Sequence, residues 1–224
     1  MKTFVVIPAF NEASVIRQVL QSLQPLGHRV VVVDDASDDK TASIAREYTP
    51  DVLEHMINRG QGAALKTGIQ YALHEGAEVI VTYDADGQHQ VSDIVALLAP
   101  IERGEVQVTL GSRYLTELSQ QKVPYTRKVL HRLAVIFTNV STGLQLTDTH
   151  NGLRAMTAAA ARNIRFNQDR MAHASEILEE IGRKHISFCE VPVTVHYTEY
   201  SLAKGQKIGD FIKILFKLLV HKLK

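Results

Sequence analysis

The chain has 224 residues, enough for one domain with a substantial buried core, and its hydrophobic and charged contents of 45% and 22% are close to those of an average globular protein. Its formal net charge of +1 excludes a general electrostatic attraction to nucleic acid, so a basic surface for a partner has to be local. The single cysteine, Cys189, excludes an intrachain disulfide and has no zinc-ligand spacing around it, and we predict a buried structural thiol.

The first half of the chain alternates short apolar runs with amphipathic segments. A strand is predicted at residues 5–8, and the helix after it has apolar side chains at helical spacing: Val15, Ile16, Val19, Leu20 and Leu23. Further strands are predicted at 30–33, 52–57 and 79–83, with helices at 41–48 and from the turn Gly60-Gln61-Gly62 to His74. The run at 30–33 is apolar on consecutive positions, which is typical of a strand buried on both faces. This alternation predicts a mostly parallel sheet flanked by helices.

The second half of the chain is less regular. A strand is predicted at 106–110, followed by a polar loop through Pro124, and helices are predicted at 127–140, 157–163 and 172–183. An alternating strand at 186–195 follows. No repeat or low-complexity linker divides the chain, so we predict a single domain.

Polar residues follow three of the predicted strands, where ligands bind in an open α/β sheet. These residues are Asn11 and Glu12, Asp34 and Asp35, and Asp84, Asp86 and Gln88. The last three place two carboxylates and an amide oxygen on one tight turn, a set of hard donors suited to Mg²⁺ or Mn²⁺. Such an ion bridges phosphate oxygens and offsets the charge on a departing diphosphate. The alternative is that the two aspartates only form an Asx-type turn.

Several short segments together resemble a known family. They are Pro8-Ala9-Phe10-Asn11-Glu12, Val32-Val33-Asp34-Asp35-Ala36-Ser37-Asp38, Asn58-Arg59-Gly60, Asp84-Ala85-Asp86, Gly111-Ser112-Arg113-Tyr114, Asp148 to Arg154, and Glu190-Val191-Pro192-Val193. Their order resembles the inverting nucleotide-sugar glycosyltransferases of family 2, and within them the dolichyl-phosphate mannose synthase-like branch. The resemblance implies a single-domain α/β fold that is GT-A-like (Rossmann-like), with a mostly parallel sheet flanked by helices.

The resemblance also implies roles for residues that match the family's motifs. The base and ribose of the donor are expected at Pro8, Phe10, Glu12, Val33 and Asp35. The diphosphate is expected at Asp84, Ala85, Asp86 and Gln88, with Asp84, Asp86 and Gln88 binding Mg²⁺ or Mn²⁺. Arg113 is expected near the diphosphate or an acceptor phosphate, where a guanidinium forms paired hydrogen bonds; the alternative is a surface arginine without a partner. Two positions depart from the pattern: Ala36 replaces a glycine or asparagine, and Phe10 replaces a tyrosine.

The acceptor side is less defined. Arg127 and His131 lie four residues apart on a predicted helix, where they either face an anionic acceptor or form a solvated face. Lys204 occupies the place of a basic loop in polyprenyl-phosphate members, although Glu199 and Tyr200 precede it where the branch often has an arginine. The acceptor therefore stays open between a polyprenyl phosphate, a glycan and a protein.

Two carboxylates are candidates for a general base: Asp148 and Glu176, with His173 one helical turn before the latter. The alternative for His173 and Glu176 is a mutual hydrogen bond on an amphipathic helix. A lipid phosphate is already anionic and needs no base. The predicted catalytic residues are thus Asp86, Arg113, Asp148 and Glu176.

Residues 1–205 are predicted to form the catalytic domain and residues 206–224 a basic amphipathic helix. Its apolar residues are Ile208, Phe211, Ile212, Leu215, Leu219 and Leu223, opposite Lys213, Lys217 and His221. This helix either lies in an anionic membrane interface or packs on its own domain. No apolar run approaches the ~20 residues of a membrane span. Because the first residues lack a signal-peptide pattern, we expect a cytoplasmic protein, with peripheral contact at the inner face of the membrane.

The predicted function is a single displacement, in which an acceptor oxygen attacks the anomeric carbon while a metal-bound nucleoside diphosphate leaves. A non-catalytic, membrane-associated scaffold that binds a nucleotide sugar is the alternative from another class. A sugar-phosphate nucleotidyltransferase is less favoured, because the first loop is not glycine-rich, and a dinucleotide-dependent oxidoreductase lacks its GxGxxG. The sugar and the base of the donor stay open.

Overall fold

The computed structural model describes residues 1–115, 125–170 and 172–196. The predictions for Lys204 and for the C-terminal helix at 206–224 lie outside these residues. Within the described ranges, no helix is both long enough and apolar enough to cross a membrane.

Seven strands form one sheet in the described part of the chain. They are β1 (Thr3–Ala9), β2 (Arg29–Asp34), β3 (Val52–Glu54), β4 (Val79–Thr82), β5 (Val108–Ser112), β6 (Arg154–Thr157) and β7 (Phe188–Pro192). The helices are α1 (Ile16–Leu23), α2 (Thr41–Ala45), α3 (Gln61–His74), α4 (Ser92–Glu102), α5 (Tyr125–Thr142), α6 (Ala158–Asn163) and α7 (His173–Arg183).

The strand order is β3-β2-β1-β4-β6-β5-β7, and every strand except β6 runs in the same direction. β6 is antiparallel to both of its neighbours, and Arg154 at its start pairs with Thr82 of β4 and Leu110 of β5. The carboxyl ends of the parallel strands therefore meet at one edge of the sheet, and the chain that leads into β6 arrives at that same edge. This edge is where ligands bind in open α/β sheets.

The core lies on both faces of the sheet. Alternate residues of β1 enter different clusters: Phe4 and Val6 pack on the face that carries α3, and Val5 and Ile7 on the face that carries α1 and α4. This division follows the two-residue period of a strand. All seven residues of β1 are buried, as expected for a parallel strand covered on both sides.

The predicted α/β architecture is confirmed, as are β1, β2, β4, α1 and α3 to within two residues at each end. α2 and β3 end three residues earlier than predicted, at Ala45 and Glu54. α4 is absent from the prediction. β6 was not predicted either, because it is four residues long, begins with an arginine and has no β-branched run.

Cys189 is half-buried, and the prediction of a buried thiol was wrong. It lies in β7, the last strand of the described sheet, where one side of the strand has no neighbouring strand.

Candidate active site

The turn after β4 carries the predicted metal ligands. Buried Tyr83 closes this turn, since its hydroxyl donates to the carbonyl of His89 at 2.7 Å. The chain beyond β7 pairs with the same turn, because His196 N–H donates to the carbonyl of Gln88 at 2.8 Å. The turn is thus fixed at the carboxyl edge from two directions.

Asp84 lies just after the end of β4 at this edge of the sheet, and its side chain is 26% exposed. Gln61 Nε2 donates to Oδ1 at 2.9 Å, and His89 Nε2 lies 3.1 Å from Oδ2. The backbone of Gly152 also packs against this carboxylate: a Cβ added at this position would lie 2.3 Å from Oδ2. Burial alone would raise the pKa of Asp84, but the hydrogen bond with His89 and the positive charge of Arg154 lower it below the usual value.

Asp86 has the opposite perturbation. Burial and the nearby charge of Asp84 raise its pKa to about 6, although the amide of Gln88 donates to Oδ1 at 3.0 Å. Two carboxylates that repel each other in a partly desolvated turn are stabilised by a divalent cation. The described residues contain no group of three His, Cys, Asp or Glu side chains able to hold a metal. Because Mg²⁺ is commonly held by one or two carboxylates together with substrate phosphates, the pair fits an ion shared with a diphosphate.

The ends of β1 and β2 form the neighbouring part of the edge. Pro8 pairs with Val33 in the sheet. The Val33 side chain is fully buried in the core, so only the backbone of Val33 is able to contact a ligand. Phe10 is 39% exposed. Glu12 is buried, and its amide donates to the hydroxyl of Thr41 at 2.8 Å.

Asp35 is buried and holds the segment 58–60. Its carboxylate accepts from the amides of Arg59 at 3.0 Å and Gly60 at 2.6 Å, and His55 Nδ1 lies 2.7 Å away. The Asn58 side chain donates to its carbonyl at 3.2 Å. Asp35, which was predicted to bind the donor, is therefore also the hydrogen-bond partner of the Asn58-Arg59-Gly60 motif.

The loop after β2 contains a strained backbone. Ala36 has φ +61°, in the left-handed region, which explains why glycine or asparagine is the expected residue there. The following Ser37 accepts from the amide of Asn11 at 2.9 Å, and the amide of Asp38 donates to the side chain of Asn11 at 2.9 Å. These bonds join the loop to the end of β1.

A second cluster surrounds Asp148. Arg113 donates to it through Nε at 2.6 Å and Nη2 at 2.8 Å, and His131 Nε2 lies 3.0 Å from Oδ1. The ring of Tyr114 stacks on His131, with centroids 4.2 Å apart. Although burial opposes ionisation, Arg113 and His131 hold the pKa of Asp148 well below its usual range.

These contacts bear on the predicted catalytic roles. Arg113 is not an arginine without a partner, since it is paired with Asp148. A carboxylate with this many donors and a strongly lowered pKa is a poor proton acceptor, so the geometry does not favour Asp148 as a general base. Glu176 accepts from the amides of Asn167 and Gln168, each at 2.9 Å.

His173 and Glu176 do not form the predicted alternative pair among the described contacts. His173 Nδ1 lies 2.9 Å from the carbonyl of Arg170 instead. Arg127 lies on α5, and its side chain is outside the described part of the structure.

Arg154 is a charged residue of the site that the sequence did not single out as an individual residue. It is 4% exposed, and its Nε donates to the carbonyl of Asn151 at 3.0 Å. Burial lowers the pKa of Arg154 to about 10, and the charges of Asp84 and Asp148 oppose this shift. It therefore links the metal-ligand turn electrostatically to the Asp148 cluster. Gln61 and His89 were also missed, because their contacts with Asp84 exist only in the folded chain.

A mostly parallel sheet with paired aspartates at its carboxyl edge is a GT-A-like arrangement. The structure is similar to the crystal structure of glucosyl-3-phosphoglycerate synthase from Mycobacterium tuberculosis in complex with Mn²⁺, uridine diphosphate and glucosyl-3-phosphoglycerate, with a TM-score of 0.68. The match covers 91% of this chain and 74% of that chain. At 18% identity, this similarity shows the fold alone.

Residues 4–165 match the family described as glycosyl transferase family 2. The UDP-N-acetylglucosamine--dolichyl-phosphate N-acetylglucosaminyltransferase of Methanococcus voltae is 31% identical, over 98% of this chain and 96% of its own. The polyprenol monophosphomannose synthase of Mycolicibacterium smegmatis is 28% identical, over 97% of this chain and 85% of its own. The chain belongs to glycosyl transferase family 2, and it is a glycosyltransferase that uses a nucleotide sugar.

Proposed function

We propose that the protein transfers a hexose from a nucleoside-diphosphate sugar to the phosphate of a polyprenyl lipid, with inversion at the anomeric carbon. The observation that carries this proposal is the pair of carboxylates, Asp84 and Asp86, on one turn at the carboxyl edge of the sheet, where burial and the charge of Asp84 raise the pKa of Asp86 to about 6. The names of the Methanococcus and Mycolicibacterium relatives, both lipid-phosphate glycosyltransferases, support the acceptor class.

In this reaction, an oxygen of the acceptor phosphate forms a bond to the anomeric carbon while the bond from that carbon to the nucleoside diphosphate breaks. A divalent cation, Mg²⁺ or Mn²⁺, would supply charge neutralisation to the departing diphosphate. Asp84 and Asp86 would hold the cation, with Gln88 as a further ligand and Ala85 beside the diphosphate. The base and ribose would lie against Phe10, Glu12 and the strand ends at Pro8, Val33 and Asp35.

The acceptor phosphate is anionic and needs no general base. This agrees with Asp148, whose carboxylate is saturated with donors and has a lowered pKa. Arg113 and Arg154 would provide a fixed positive environment, which stabilises charge without reorganisation during the reaction. Arg127 and Lys204 are proposed as further contacts to the acceptor phosphate.

The lipid acceptor places the reaction at a membrane. We include in the proposal that residues 206–224 form a basic helix that contacts anionic lipid at the inner face, and that the product serves cell-envelope glycans. Lys213, Lys217 and His221 are spaced four residues apart in this segment, which places them on one face of such a helix.

The first test is calorimetric binding of UDP, GDP and dTDP with and without Mn²⁺, to the full chain and to Asp86→Ala. We expect metal-dependent binding of one nucleotide and its loss in the variant. The matching nucleotide sugar is then incubated with vesicles that contain polyprenyl phosphate, and transfer to lipid is measured. Binding of none of the three nucleotides by folded protein would overturn the donor site, and binding without transfer would support a scaffold.

A further inference from the structure

The first turn of α3 is in contact with the segment 168–170, which precedes α7. A Cβ at Gly62 would lie 2.1 Å from the carbonyl oxygen of Gln168, and a Cβ at Gly60 would lie 2.8 Å from that of Asp169. Real Cβ atoms do not approach so closely, so only glycine permits the two backbones to meet here. The two glycines therefore serve a contact between two segments more than 100 residues apart in sequence.

The segment is held in place from α7. Glu176 accepts from the amides of Asn167 and Gln168, each at 2.9 Å. The carbonyl of Asp169 in turn accepts from the amide of Ala63 at 2.9 Å. The Glu176 side chain is thus connected to the start of α3 through two amides that donate to its carboxylate and one backbone–backbone hydrogen bond, from Ala63 to Asp169.

Gln61 lies between the two glycines and contacts the metal-ligand turn. Its side-chain nitrogen, Nε2, donates to Oδ1 of Asp84 at 2.9 Å, while Nε2 of His89 lies 3.1 Å from Oδ2. A carboxylate with one partner on each oxygen is restricted in rotation. Its remaining lone pairs keep a fixed direction, which lowers the entropy lost when an ion binds.

We propose that Gln61 is a positioning residue that orients the Asp84 carboxylate for a divalent cation, and that Glu176 supports Gln61 through residues 167–170. This inference rests on the proposed function and gives Glu176 a role other than general base. Removing a residue that orients a metal ligand typically weakens metal binding by about 10-fold to 100-fold.

The test compares Gln61→Met with Gln70→Met, a matched change at an exposed position of the same helix. Binding of Mn²⁺ to the full chain is followed by electron paramagnetic resonance of the free ion, with and without each nucleotide. We expect about 10-fold weaker Mn²⁺ binding for Gln61→Met and wild-type binding for Gln70→Met. Equal affinities in the two variants would overturn the role of Gln61.

Gln61→Asn serves as a second variant if the methionine perturbs folding. It retains the amide but is one methylene shorter, so it should lose the contact with Asp84 and show a similar loss of Mn²⁺ affinity. The midpoint of thermal unfolding without Mn²⁺ should stay at the wild-type level in both variants. A parallel loss of thermal stability would indicate a structural role only.

The role of Glu176 is tested by Glu176→Ala, with exposed Glu179→Ala on the same helix as its control. We expect Glu176→Ala to weaken Mn²⁺ binding several-fold. The double variant with Gln61→Met should bind Mn²⁺ no more weakly than Gln61→Met alone, because both changes act through one contact. Additive losses would overturn the connection.

The two proposals fail in different ways. If the wild-type chain binds Mn²⁺ but none of the nucleotides, the proposed function fails while the variants still decide the role of Gln61. If the wild-type chain binds a nucleotide but binds no Mn²⁺, the positioning role is overturned and the donor site stands.

Discussion

Arg113 and Asp148, 35 residues apart in sequence, form a two-point ion pair, with Nε 2.6 Å from Oδ2 and Nη2 2.8 Å from Oδ1. The Asp148 side chain is completely buried, whereas that of Arg113 is 18% exposed. This geometry joins the end of β5 to the segment that leads into β6. The pair therefore holds these two segments together at the carboxyl edge of the sheet.

Asp148→Asn should destabilise the fold because it leaves Arg113 without its counter-charge. Removing one partner of a buried ion pair typically costs about 3–5 kcal/mol, and because the Arg113 guanidinium is partly exposed, we expect a loss of about 3 kcal/mol. The free energy of unfolding in urea measures it, with exposed Glu102→Gln as the control. A variant of wild-type stability that has lost all transfer activity would instead indicate that Asp148 takes up a proton.

Ala36→Gly should stabilise the protein by about 0.5–1 kcal/mol. Glycine relieves the left-handed strain at φ +61°, and part of that gain is offset by the greater freedom of the unfolded chain. Thermal and urea unfolding measure the difference. Ala99→Gly within α4 is the matched change, and it should destabilise by about 0.5–1 kcal/mol. If Ala36→Gly and Ala99→Gly lose the same amount of stability, the backbone strain assigned to Ala36 is contradicted.

Gly152→Ala should weaken metal-dependent nucleotide binding by about 10-fold or more. The added methyl group would lie 2.3 Å from Oδ2 of Asp84, so the carboxylate has to move. Calorimetry with Mn²⁺ and the cognate nucleoside diphosphate measures the loss. Gly143→Ala, whose added methyl group would meet no atom within 4 Å, is the control for a glycine-to-alanine change without a clash; its φ of +72° adds a backbone strain that Gly152 does not have. Unchanged binding by Gly152→Ala would show that the Asp84 position is not critical.

Acid should weaken the fold through Glu180. Although burial opposes it, hydrogen bonds from Lys184, Arg183 and the amide of Arg165 lower the pKa of Glu180 to about 2, from an ordinary value of 4.5. A carboxyl group with a lowered pKa stabilises the fold above its unfolded-state pKa, and this contribution is lost as the pH falls from about 4.5 towards 2.

Glu180→Gln should therefore be less stable than the wild type at pH 7, by about 1–3 kcal/mol after allowance for solvent screening. The difference should shrink as the pH is lowered to 3. Urea unfolding of both proteins at pH 7, 5, 4 and 3 measures this trend. A difference that stays constant over the range would assign the effect to packing rather than charge.

The sequence by itself determined the elements whose pattern is local. The buried strands at β1, β2 and β4 are contiguous apolar runs, and α1 follows from apolar residues at helical spacing. The Asp84-Ala85-Asp86 turn was predictable for the same reason, since its two carboxylates are neighbours in the chain. Each of these features needs only residues within one turn or one strand of each other.

The tertiary structure decided which distant residues meet. β6 could not be predicted because its four residues are stable as a strand only between β4 and β5, and its antiparallel direction brings Gly152 to Asp84 and Asp148 to Arg113. Gln61 contacts Asp84 only because α3 packs on the sheet. These pairings depend on strand order, which a residue pattern does not encode locally, because the free energy that selects it comes from burial shared by the whole core.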